Sequence, residues 1–170
     1  MKLPIIFWET KNLLLQHLAN ARISVLIGED VESPVRYVSC SVTCWEGSVE
    51  IGIFSNQVGN DLCCWLLSRC NRLLVGHDQE ITVVDLSGAR IINSASLEGL
   101  FFEFVIESTI GQILAIHELG VLALSQDAEF RWRFIAPDIL TGWQITEENI
   151  RLSIMDSDYI ELDKLRGRQL

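Results

Sequence analysis

One phrase recurs through the chain, and it restricts the fold more than any other feature. It reads Leu73-Leu74-Val75-Gly76-His77, followed shortly by Ile81-Thr82-Val83-Val84-Asp85. Forty residues later it returns as Ile113-Leu114-Ala115-Ile116-His117, then Val121-Leu122-Ala123-Leu124. An earlier version is Leu13-Leu14-Leu15-Gln16-His17 with Ile23-Ser24-Val25-Leu26, and a worn one without the histidine is Arg151-Leu152-Ser153-Ile154-Met155 with Tyr159-Ile160-Glu161-Leu162-Asp163. Short apolar runs rich in β-branched residues and bounded by turn formers read as strands. A period of about 40 residues, lengthened to 60 at the first step by a hairpin outside the repeat, marks a small supersecondary unit that must stack on its neighbours to bury its faces.

Each unit is expected to be an antiparallel meander. A segment with bulky aromatics comes first: Cys64-Trp65-Leu66-Leu67, then Phe101-Phe102-Glu103-Phe104-Val105, then Trp143-Gln144-Ile145. The repeated phrase supplies the second and third strands, and Ala89-Arg90-Ile91-Ile92 and Phe130-Arg131-Trp132-Arg133-Phe134 supply a fourth in two units. Leu86-Ser87-Gly88 and Gln126-Asp127-Ala128 are turns between the third and fourth. Residues 35–56 form a hairpin inserted outside the repeat. The stretch 13–18 fits two readings, an amphipathic helix capped by Thr10 or a strand, and the repeat favours the strand. The chain thus reads as one mainly β domain over residues 1–170. Four blade-like units would be arranged propeller-like or as a two-sheet sandwich, with at most one or two short helices.

Val121-Leu122-Ala123-Leu124-Ser125 ahead of Phe130-Arg131-Trp132-Arg133-Phe134 resembles the blades of quinoprotein-type propellers, and Leu74-Val75-Gly76-His77 with Val83-Val84-Asp85 resembles the same blades or those of the WD-repeat type. The resemblance covers about half of the chain and implies blade-like sheets. Ala128 stands where such blades carry a turn glycine.

Composition narrows the function classes. A chain of 170 residues with 49% hydrophobic content is long enough for one sizeable core. Its formal charge of −10 argues against nucleic acid, whose phosphates need a basic surface, and favours a basic protein as partner. No apolar run is long enough to span a membrane, and no signal peptide is read at the N-terminus, so a cytoplasmic protein is expected. Five cysteines cannot all pair with one another, and none has zinc-type spacing; buried free thiols are expected.

Two functions from different classes fit. The first is a non-catalytic protein-interaction module, in concrete form an acidic inhibitor or immunity-type protein that covers a more basic one. This form rests on analogy from size and charge. Its contact residues would be Trp143, Glu147, Glu148, Asp156, Asp158 and Glu161, on the acidic stretch that ends the chain. The second is a metal-dependent enzyme or small-ligand binder. His17, His77 and His117 all hold the fifth place of the phrase, so units packed about an axis would bring three imidazoles together. Duplication alone also puts a histidine at each strand end, with no chemistry required. No phosphate loop, nucleophile elbow or H-E-x-x-H is present, and no cofactor is expected.

Overall fold

The structure, a computed structural model, describes residues 1–29, 33–44, 47–56, 62–156 and 159–170. In chain order its elements begin with β1 (Ile6–Trp8), α1 (Lys11–Asn20), β2 (Ser24–Ile27), β3 (Arg36–Cys44) and β4 (Gly47–Ser55). These strands form a first sheet of order β1-β3-β4-β2, in which β2 runs parallel to β4. Helix α1 crosses between its two edges. Residues 13–17 are therefore helical, which corrects the strand reading taken from the repeat. The Thr10 hydroxyl accepts from the Leu13 N–H as N-cap, and Leu14 and Leu18, four apart, bury one face beside Phe54. The hairpin set outside the repeat supplies the two central strands of this sheet.

Three meanders follow. The second sheet is β5 (Cys63–Leu67), β6 (Arg72–His77), β7 (Glu80–Asp85) and β8 (Arg90–Ser96), paired in that order. The third is β9 (Phe101–Glu107), β10 (Gln112–His117), β11 (Gly120–Ser125) and β12 (Phe130–Ile135). The fourth is β13 (Leu140–Ile145), β14 (Asn149–Ile154) and β15 (Tyr159–Asp163). The chain is thus mainly β with one helix among the described residues, as expected.

Sheet four is completed by a segment that carries no strand signature. The Asp163 N–H donates to Arg168 O, and the Leu170 N–H donates to Glu161 O, so residues 168–170 return beside β15. The turn that brings them back repeats earlier ones. Asp85 accepts from the backbone N–H groups of Ser87 and Gly88, the Ser125 hydroxyl from those of Asp127 and Glu129, and Asp163 from those of Leu165 and Arg166. Each turn then passes through a left-handed residue: Ala89, Ala128 and Gly167, with φ of 45°, 61° and 64°.

The cores lie between consecutive sheets. Val38, Cys40, Ile51 and Ile53 of the first sheet pack on Leu73 and Val75 of β6. Leu74, from the opposite face of β6, packs on Phe101, Ile113 and Ala115. Leu114 and Ile116, from the opposite face of β10, pack on Ile150, Leu152 and Leu162. Strands β6 and β10 are therefore buried on both faces, which is why they read as continuous apolar runs rather than alternating ones. None of these buried clusters joins the first sheet to the fourth. At one end α1 covers the first sheet; at the other, β14 and β15 turn Arg151, Ser153 and Glu161 outward.

Candidate functional site

A seam of backbone hydrogen bonds ties the sheets together along one rim. Phe101 N–H donates to Asp78 O, Leu97 N–H to Gln79 O, and Glu118 N–H to Leu100 O. The pattern repeats one unit on: Leu140 N–H donates to Glu118 O, Ala136 N–H to Leu119 O, and Met155 N–H to Ile139 O. The first sheet joins through a side chain instead, because the Asp78 carboxylate accepts from the Ser55 hydroxyl and from the Asn56 N–H. Burial alone would raise the Asp78 pKa; the His77 ring, Ser55 and Asn56 together outweigh it and lower the pKa.

The connections along this rim carry Asp78, Glu98, Glu118, Asp138 and Asp156, and their described residues include no lysine or arginine. Arg133 reaches up from β12 to bond Glu98 at 2.6 Å. The opposite rim is mixed, with Arg69, Lys164 and Arg166 among Asp127, Glu129, Glu147 and Glu148. Excess acid therefore collects on the seam side. The backbone bonds of the seam fix the connections that carry these carboxylates.

Beneath the seam lie two of the three histidines. His77 ends β6 and His117 ends β10, and both are buried with neither ring nitrogen hydrogen-bonded. His77 Nδ1 lies 3.5 Å from Asp78, and His117 Nε2 lies 3.8 Å from Glu98. The third is elsewhere. His17, on α1, pairs with Glu50 at 3.1 Å and packs on the Trp8 ring. The histidines occupy three separate settings, and among the described residues no group of three or more His, Cys, Asp or Glu is placed to hold a metal. The five cysteines are free, and Cys40, Cys63 and Cys64 are buried.

Burial pushes the His117 pKa down to about 4, against the opposing pull of the Glu98 carboxylate. The imidazole is therefore neutral in the native state at pH 7, while an unfolded chain takes up its proton near pH 6.5. The native pKa is the lower one, so this contribution is complete above pH 6.5. It is lost as pH falls from there to about 4. Over that window the loss is expected to reach roughly 3 kcal/mol. Urea titrations from pH 7.5 to 4 should show this slope flattened in His117→Leu; an unchanged slope would mean that the ring is not held neutral.

The residues expected to contact a partner are distributed differently from their order in sequence. Glu147 and Glu148 are exposed in the β13–β14 turn, and Asp156 is exposed at the far end of β14, about 20 Å away by strand length. Asp158 lies outside the described residues. Glu161 is half-buried and bonded to Arg151 at 2.6 Å, with that guanidinium over the Tyr159 ring. Trp143 is half-buried: it pairs in register with Leu152 on the core side, stacks on Phe102 and donates to Glu103 at 2.9 Å. The described part of the acidic stretch is thus split between two rims, and among its described residues only Asp156 joins the seam. Three of the seam acids had a signal in the sequence, since Asp78, Glu118 and Asp156 each directly follow the phrase.

No family model matches the chain, and no curated protein matches it in sequence. Among solved structures it is similar to the computationally designed Ika4 protein, at 10% identity and a TM-score of 0.46 over 68% of this chain and 74% of that one. It is also similar to the designed Ika8 protein, at 11% identity and 0.48 over 79% and 45%. BamB from Moraxella catarrhalis matches at 11% identity and 0.43 over 58% and 31%. The chain spans less than half the length of the latter two. These likenesses point to no particular family. Among the described residues no helix is long and apolar enough to cross a membrane.

Proposed function

We propose that this chain is a non-catalytic protein-interaction module that engages a more basic protein through the acidic seam rim. The observation that carries the reading is the row of carboxylates at Asp78, Glu98, Glu118, Asp138 and Asp156, on connections that contain no lysine or arginine among their described residues. Acidic groups gathered on one rim steer a basic surface toward them. The most concrete form of the proposal is an inhibitor of immunity type, seated over the basic active surface of a toxin.

The test starts from a basic protein captured on the immobilised chain at low salt. Asp138→Lys with Asp156→Lys should slow its association at least about tenfold at low ionic strength, with a much smaller effect at high salt. Glu147→Lys with Glu148→Lys makes the same change in net charge on the opposite rim and should leave the rate within about twofold. Equal losses from both double variants would show that net charge, rather than this rim, drives association.

A further inference from the structure

One pair of side chains at equivalent places differs between the interface of the second and third sheets and the next one. Between the third and fourth sheets, the Lys164 ammonium comes from the turn after β15 and bonds the Glu107 carboxylate at 3.0 Å, with both groups largely buried. Glu107 and Lys164 each lie 38 residues beyond Arg69 and Gln126, and those two residues meet in the same way one interface earlier: Arg69 Nη1 donates to Gln126 Oε1 at 3.1 Å. Here the cation meets a neutral amide, and among the described residues no carboxylate pairs with it. Beside this contact lies an open groove of about 250 Å³, whose lining includes Trp65, Leu67, Ile106 and Ile113 along with Arg69 and Gln126. Its volume is on the order of eight water volumes.

We infer that this groove binds a short aliphatic carboxylate. The Arg69 guanidinium receives the carboxylate, supplying the charge-assisted bond that Glu107 and Lys164 make within the chain one interface later. The acyl chain lies on Ile106 and Ile113, covering apolar surface that is otherwise in water at Ile106, which is 39% exposed. The site is on the edge away from the acidic seam, in a chain whose overall charge of −10 repels anions elsewhere. Arg69 thus gives a local exception suited to a small anion with an apolar tail. The inference is independent of the proposed protein partner.

Isothermal titration of the full chain with hexanoate, hexanol and acetate tests it. Hexanoate should bind with a Kd on the order of 1 mM, and hexanol and acetate should each bind at least about fivefold more weakly. Arg69→Gln should weaken hexanoate by a similar factor. Gln126→Glu should do the same without loss of thermal stability, because it recreates inside the groove the ion pair found one interface later. No hexanoate binding, hexanol or acetate binding as tightly as hexanoate, or either variant binding like the wild type would each overturn the site.

Discussion

Replacing Gly120 by alanine is expected to destabilise the protein by about 4 kcal/mol, close to abolishing the fold of a marginally stable domain. Gly120 opens β11, pairing with His117 of β10 and with Ile135 of β12. Its φ of 151° lies where L side chains rarely go, and a Cβ there would sit 2.1 Å from the carbonyl oxygen of Phe134. The obstacle is backbone, so no rotamer change relieves it. Backbone strain contributes about 1–3 kcal/mol and overpacking a further 1–3 kcal/mol or so. Gly142 provides the contrast within the same architecture. The nearest atoms to a Cβ there belong to Ser153 at 3.8 Å. Gly142→Ala should therefore be neutral or stabilising by up to about 0.5 kcal/mol, because an alanine has less freedom to lose on folding. Urea unfolding of the two variants measures both values, and a Gly120→Ala cost below 1 kcal/mol would mean that β11 and β12 approach differently there.

Much of the meander was legible because burial on both faces leaves a strong mark. Leu73 to His77 and Ile113 to His117 are apolar runs too short for helices and bounded by turn residues, and they became β6 and β10. The same permissiveness misled at Leu13. Three adjacent leucines satisfy the period of a strand or a helix equally, and the feature that favoured the helix was Thr10, whose hydroxyl accepts from the Leu13 N–H as an N-cap. The segment that returns beside β15 was hidden because Arg168-Gln169-Leu170 has no β-type composition. Its trace lay in Asp163 to Gly167, a turn that repeats the hydrogen bonds of Asp85 and Ser125. The acidic rim needed pairing information. Glu98 and Asp138 lie outside the repeated phrase, and only the bonds that dock each connection on the next turn put them beside Glu118. Trp143 was harder still, since its inward direction depends on the register of β13 against β14.

Lys164→Met should cost about 3 kcal/mol, the usual consequence of leaving one member of a buried ion pair behind. Lys164 and Glu107 are only 6% and 11% exposed at their side chains, and they join the last turn to the end of β9. Removing the ammonium strands a carboxylate that still accepts from the Thr109 N–H and hydroxyl. Those bonds cannot replace the lost charge. Removing both charges with Glu107→Gln should recover at least 1 kcal/mol of the loss, because a neutral amide is far less costly to bury beside methionine. A double-mutant cycle in urea gives the coupling directly, and additive single losses would show that the pair is not coupled. Acid should act in the same direction. The Thr109 hydrogen bonds, followed by Lys164, hold the Glu107 pKa below the ordinary carboxylate value. Its stabilisation is therefore complete above that ordinary value and lost as pH falls through the lowered one. The wild type should lose this part of its stability below about pH 4, and the double variant should not. Because Asp163 and Gly167 flank the lysine, the weakened region should be β15 with residues 168–170. Faster amide exchange at Asp163 and Leu170, both backbone donors in that pairing, would locate it there.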